Sequence, residues 1–134
     1  MVSPEKHSDR PTILIAEDDV ELRDIVAGIL ESSGYDVVAA DDGAQALAYL
    51  QSAPQPPAAV LLDLMMPVTN GWDCVDMLKS DDRLSWIPIV IMSESDEVPI
   101  GTDLFLKKPF RVDELLATID HFARPRHRDD EPIG

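Results

Sequence analysis

Short apolar runs punctuate this chain, and most of them stop on a polar residue: Ile13–Ala16 on Glu17, Val60–Leu62 on Asp63, Ile89–Met92 on Ser93 and Leu104–Leu106 on Lys107. Each run is continuous rather than alternating, so a strand formed there is covered on both faces. Tyr35–Ala40 reads as a further strand. Between the runs the period changes. Leu22, Ile25, Val26, Ile29 and Leu30 recur at the spacing of one buried helix face, and Ser32, Ser33 and Gly34 stop that helix. Ala44, Leu47 and Leu50 mark a shorter helix that ends before Pro54, Pro56 and Pro57. Cys74, Val75 and Leu78 give a third helix its apolar side, and Val112, Leu115, Leu116, Ile119 and Phe122 a last one. Strand–helix repetition with short connections requires right-handed crossovers and predicts an α/β fold with a doubly wound, five-stranded parallel sheet. One unit is too short for the pattern. Residues 93–103, which include Pro99 and Gly101, leave room for a loop or a single turn, so a fourth helix is shortened or missing.

At 134 residues the chain fits one domain, and its 45% apolar content suffices for a core. Eleven basic against twenty-six acidic residues give a net charge of −15, which repels nucleic-acid backbones and anionic membranes. Neither is expected as a partner. Cys74 stands alone, so no internal disulfide is possible, and no Cys/His spacing suits zinc. No apolar run approaches the roughly 18 residues of a membrane span, and the polar start lacks a signal-peptide core. The expectation is a cytoplasmic domain over 12–124, with flexible tails at 1–11 and 125–134.

In a doubly wound sheet, ligands bind beyond the carboxyl ends of the strands. Those ends carry Glu17, Asp18 and Asp19, then Asp63, then Ser93, then Lys107, Lys108 and Pro109. Carboxylates that close cannot all ionise without a compensating cation, and an oxygen-only set suits Mg²⁺, with Mn²⁺ as a substitute. A carboxylate beside such an ion, a hydroxyl and a lysine is equipped to accept a phosphoryl group itself. Plainer readings exist for each part. The first acids could cap a helix, Asp63 could belong to a turn, Ser93 could cap a loop, and the lysines could be solvated. Asp41 and Asp42 cap the second helix, Met65 and Met66 fill loop gaps, Cys74 is an inert core thiol, and Trp72 and Trp86 are packing or surface aromatics.

Ile13-Leu-Ile-Ala-Glu-Asp-Asp19, Val60-Leu-Leu-Asp-Leu-Met-Met-Pro67 with Asn70-Gly71, Ile87-Pro-Ile-Val-Ile-Met-Ser93 and Phe105-Leu-Lys-Lys-Pro-Phe110 together resemble the receiver domain of two-component response regulators. The resemblance spans about residues 12–124 and implies a flavodoxin-like strand order, 2-1-3-4-5. It also implies roles. Asp63 is the phosphoacceptor; Glu17, Asp18, Asp63 and the Met65 backbone carbonyl hold Mg²⁺; Ser93 and Lys108 contact the phosphoryl group; Ser93 and Phe105 act as the switch pair. The donor would be a histidine kinase or a histidine phosphotransfer protein, the output a downstream protein target. Such a receiver catalyses its own phosphorylation and dephosphorylation and turns over no external substrate.

This sequence departs from the family's pattern at the short fourth unit, which touches the usual output face. Glu94 stands where the family has a small residue, adding bulk and charge beside an incoming dianion. Met65 and Ser95 occupy positions that tune dephosphorylation, and an apolar Met65 implies slow hydrolysis. The leading expectation is a stand-alone receiver that accepts phosphoryl on Asp63. The alternative is an interaction module that keeps the fold without the chemistry. A phosphatase with Asp63 as nucleophile is disfavoured, because Met65 stands where a second acid would donate a proton.

Overall fold

The computed structural model describes residues 9–66 and 69–123; the expected tail segments 1–8 and 125–134 lie outside them, as does Pro67. The chain runs β1 (Thr12–Ala16), α1 (Val20–Ser32), β2 (Asp36–Ala40), α2 (Gly43–Ser52), β3 (Ala59–Asp63), α3 (Gly71–Lys79), β4 (Ile89–Ser93), β5 (Leu104–Lys107) and α4 (Val112–Ala123). All strand pairs are parallel and the order is β2-β1-β3-β4-β5, as expected.

Alternation along the strands divides the core in two. Leu14, Ala16, Val60, Leu62, Ile89 and Ile91 face Ala46, Leu50, Cys74, Val75 and Leu78 of α2 and α3. Ile13, Ile15, Leu61, Val90, Met92 and Leu106 face Val26, Leu30, Leu115 and Ile119 of α1 and α4. Both faces of β3 and β4 are therefore buried throughout, which is why these runs show no polar alternation.

Helix α1 ends where the serines and glycine predict. The Gly34 N–H reaches the Glu31 carbonyl, the Tyr35 N–H reaches that of Leu30, and Gly34 holds φ +104°, a conformation that suits a residue without a Cβ. Tyr35 belongs to this turn rather than to β2; its ring is fully buried and its hydroxyl donates to Asp120 of α4. The inner end of the 1–11 segment is tied down. Arg10 donates to the Glu31 and Tyr35 carbonyls, and the Pro11 carbonyl accepts from the Asp36 N–H.

Between β4 and β5 there is no helix. The connection turns at Pro99–Thr102, with Gly101 at φ +102° laid against the Lys79 side chain of α3. Asp103 fastens the return: its carboxylate accepts from the Ile89 N–H at 2.8 Å, its own N–H donates to the Ile89 carbonyl, and Lys79 lies 3.8 Å from it.

Candidate functional site

Strand β1 delivers Glu17 to the rim of the sheet, where the Glu17 N–H still finds a partner on β2, the Ala40 carbonyl at 3.2 Å. The Glu17 side chain, 1% exposed, turns inward and accepts from the Asp19 N–H at 3.1 Å. Helix capping explains one of the three acids: Asp19 accepts from the Leu22 N–H, leaving Glu17 and Asp18 for other work. Similarly, Asp42 caps α2 through Gln45, whereas Asp41, expected to share that cap, pairs with Arg23 instead.

Asp63 is the last residue of β3 and is 4% exposed. Its Oδ1 accepts from the Met65 N–H at 3.3 Å, so the chain folds back over the carboxylate at once. Gly71 makes that turn possible. A Cβ there would meet the Leu64 Cα at 2.7 Å and the Asp63 carbonyl at 2.9 Å, so α3 can start this close to the strand end only with glycine.

The two lysines part company. Lys108 Nζ lies 2.9 Å from Glu17 Oε1 and 3.4 Å from Asp63 Oδ1, largely shielded from solvent, while Lys107 pairs with Asp96 on the surface. The Lys108 N–H donates to the Ser93 carbonyl at 2.8 Å, which ties the lysine's backbone to the end of β4. The Lys108–Pro109 peptide bond is cis.

Burial pushes the Glu17 carboxyl up to about 7, aided by the charge of Asp63; the hydrogen bonds from Lys108 and the Asp19 amide oppose the rise. For Lys108, burial acts downward, but the hydrogen bond to Glu17 and the charges of Asp63 and Glu17 overcome it and hold the ammonium above its ordinary range. The lysine remains charged.

Oxygens of Glu17, Asp18 and Asp63 all lie within 4.8 Å of one another. Carboxylates alone form this set, Asp18 is exposed, and the open side leaves room for waters. Such a donor set fits a hard divalent ion.

Ser93 closes the site at the end of β4, one residue beyond Met92, the register partner of Asp63. Its Oγ accepts from the Ser95 N–H at 3.0 Å, which leaves its own O–H free to donate. Ser95 in turn accepts from the Glu97 N–H. Glu94 is exposed and lines, with Asp19, Leu22, Lys108, Pro109 and Phe110, a cavity of about 490 Å³ beside the carboxylates. The two methionines differ: Met66 packs into the α2–α3 core, but Met65 is 72% exposed. Loop packing is thus corrected for Met65, because the backbone that folds over Asp63 turns this side chain outward. Phe105 is half-buried against the α2–α3 core.

Arg23 was not singled out by the pattern, although it bonds the Glu17 carbonyl. Its one sequence signal is a cation one turn into a helix that opens with acids.

Residues 13–120 match the response regulator receiver domain model, and the chain belongs to that family. The "DNA-binding response regulator MtrA" of Mycobacterium tuberculosis H37Rv is 37% identical over 130 residues, covering 92% of this chain and 54% of MtrA. RpaA of Synechocystis, a "DNA-binding dual master transcriptional regulator", is 36% identical over 127 residues, covering 88% of this chain and 51% of RpaA. The chain thus spans about half the length of these curated relatives. Among solved structures, chemotaxis response regulator CheY4 of Vibrio cholerae superposes with a TM-score of 0.77 at 27% identity, over 84% of this chain and 98% of that one. The NtrX receiver domain of Brucella abortus gives 0.74 at 27%, over 85% and 99%. Receiver domains act in two-component signalling, bind Mg²⁺ at an acidic pocket and interact with histidine kinases. Among the described residues, no helix is long and apolar enough to cross a membrane.

Proposed function

We propose that this receiver accepts a phosphoryl group on Asp63 from a phosphohistidine of a histidine kinase or phosphotransfer protein. The observation that carries the reading is the meeting of Lys108 with Glu17 at 2.9 Å, 91 residues away in the chain, and with Asp63 at 3.4 Å. An Asp63 oxygen attacks phosphorus, the N–P bond breaks, and its electron pair stays on the imidazole nitrogen; the product is an acyl phosphate. Glu17, Asp18 and Asp63, with the Met65 backbone carbonyl, would hold Mg²⁺, or Mn²⁺ in its place. Once bound, the ion supplies positive charge to the phosphoryl oxygens.

Lys108 already sits against Asp63 and stays protonated, so it stands ready to neutralise a second face of the transferred group. Ser93 offers its free O–H. On this reading, engagement of Ser93 pulls the β4 end toward Asp63 and Phe105 follows it inward. Met65 brings no hydrogen bond to an attacking water, so hydrolysis is slow. Glu94 puts a negative charge at the cavity mouth, which discourages small anionic donors. The excess of acids favours output through a downstream protein target rather than contact of this unit with nucleic acid.

Intact-mass measurement with Mg²⁺ and phosphoramidate tests the reading, with a beryllium fluoride melting shift in case Glu94 excludes the donor. Wild type gains one phosphoryl group or shifts with beryllium fluoride, whereas Asp63→Asn does neither. Absence of both responses in wild type would leave the phosphorylation-independent interaction module.

A further inference from the structure

We infer that Arg23 is a positioning residue for the divalent-cation site, an inference that rests on the site reading above. Glu17 stands where sheet pairing gives out, and its carbonyl has no strand to bond. Arg23 supplies the partner: Nη1 donates to the Glu17 carbonyl at 3.1 Å and to Asp41 Oδ1 at 2.6 Å, with the guanidinium mostly shielded from solvent. Asp41 is itself anchored, its N–H to Gln45 Oε1 at 2.8 Å and its Oδ2 near Gln45 Nε2. Since the Glu17 N–H is held by Ala40, both main-chain polar groups of this residue are fastened, one to the end of β2 and one to α1. That fixes the Cα–Cβ bond from which the carboxylate reaches Lys108.

Arg23 reaches the cation through Glu17 rather than by contact with it, the role of an outer group that fixes a ligand's orientation. One nitrogen carries both bonds: its two protons serve a carbonyl and a carboxylate at once. Charge acts in the opposite sense. A guanidinium beside a cation site repels the cation, so losing the charge alone tightens binding. The sign of the effect therefore separates positioning from simple electrostatics.

The probe is Mn²⁺, with free ion read by electron paramagnetic resonance on the full chain at pH 8, and melting followed in parallel. Arg23→Ala weakens Mn²⁺ binding by about tenfold or more, the usual consequence of losing an orienting partner. Arg23→Lys, which keeps the charge and the donors on a shorter side chain, recovers part of that loss. Asp41→Asn falls between Arg23→Lys and wild type. Unchanged or tighter binding by a cooperatively melting Arg23→Ala overturns the inference, since a merely structural role lowers the melting temperature and leaves the affinity of the folded chain alone. Should Arg23→Ala not fold, Arg23→Met, which keeps the apolar stem and loses the donors, decides, and wild-type affinity in that variant overturns the inference. Wild type that binds no Mn²⁺ overturns the cation site itself; wild type that binds, with variants its equal, overturns only the role of Arg23.

Discussion

The two halves of the sheet rim are built differently. At the centre, beyond β1 and β3, long-range bonds add to the local turns: Lys108 reaches Glu17 and Asp63, and Arg23 reaches Asp41. At the edge, beyond β4, the chain is held by near neighbours, Ser95 on Ser93 and Glu97 on Ser95, and by an exposed Lys107–Asp96 pair. Ile100, at the tip of that connection, is 97% exposed. The contrast shows where rigidity has been placed. The carboxylates are held by the fold itself, while residues 94–98, between β4 and the Asp103 anchor, can rearrange at small cost.

The largest effect belongs to the centre. Lys108→Ala removes the counter-charge of two buried carboxylates and costs about 3 kcal/mol at pH 8, read as a fall in the denaturation midpoint. A titration comes next. In EDTA, the folded chain keeps a proton on Glu17 between its ordinary 4.5 and about 7, where the unfolded chain has released it. Stability therefore falls as pH rises through that window, by on the order of 2 kcal/mol, and saturating Mg²⁺ removes the fall because it requires the ionised carboxylate. Urea midpoints at pH 4.5 and 7.5, with and without the ion, check this. Asp103→Ala leaves the Ile89 N–H without its carboxylate and costs about 1–2 kcal/mol; a variant as stable as wild type would mean that the connection is not fastened there. Lys107→Ala, at the exposed edge, changes stability by less than about 1 kcal/mol. A ranking with Lys107 above Lys108 would erase the contrast.

The strands and their polar ends were readable because burial on both faces writes an uninterrupted apolar run, and the chemistry sits one residue past each. The short unit was equally plain, since residues 93–103 cannot hold a helix and its two loops. What escaped depends on meetings that no local pattern records. Asp41 and Asp42 look interchangeable before Gly43, and only the reach of Arg23 across β1 and β2 separates them. Asp103 and Lys79 are each an ordinary surface charge until Gly101 lays the loop on α3. Met65 and Met66 share a side chain but not a fate, because a turn over Asp63 sends consecutive residues opposite ways.

Gly71 carries a mechanical consequence. With α3 seated on the Leu64 Cα and on the carbonyl of Asp63, that flank of the carboxylate behaves as a wall. On the β4 side, the segment that follows Ser93 is held by local bonds, Ser95 on Ser93 and Glu97 on Ser95. A group bound at Asp63 would therefore find room on the Ser93 side and none against α3.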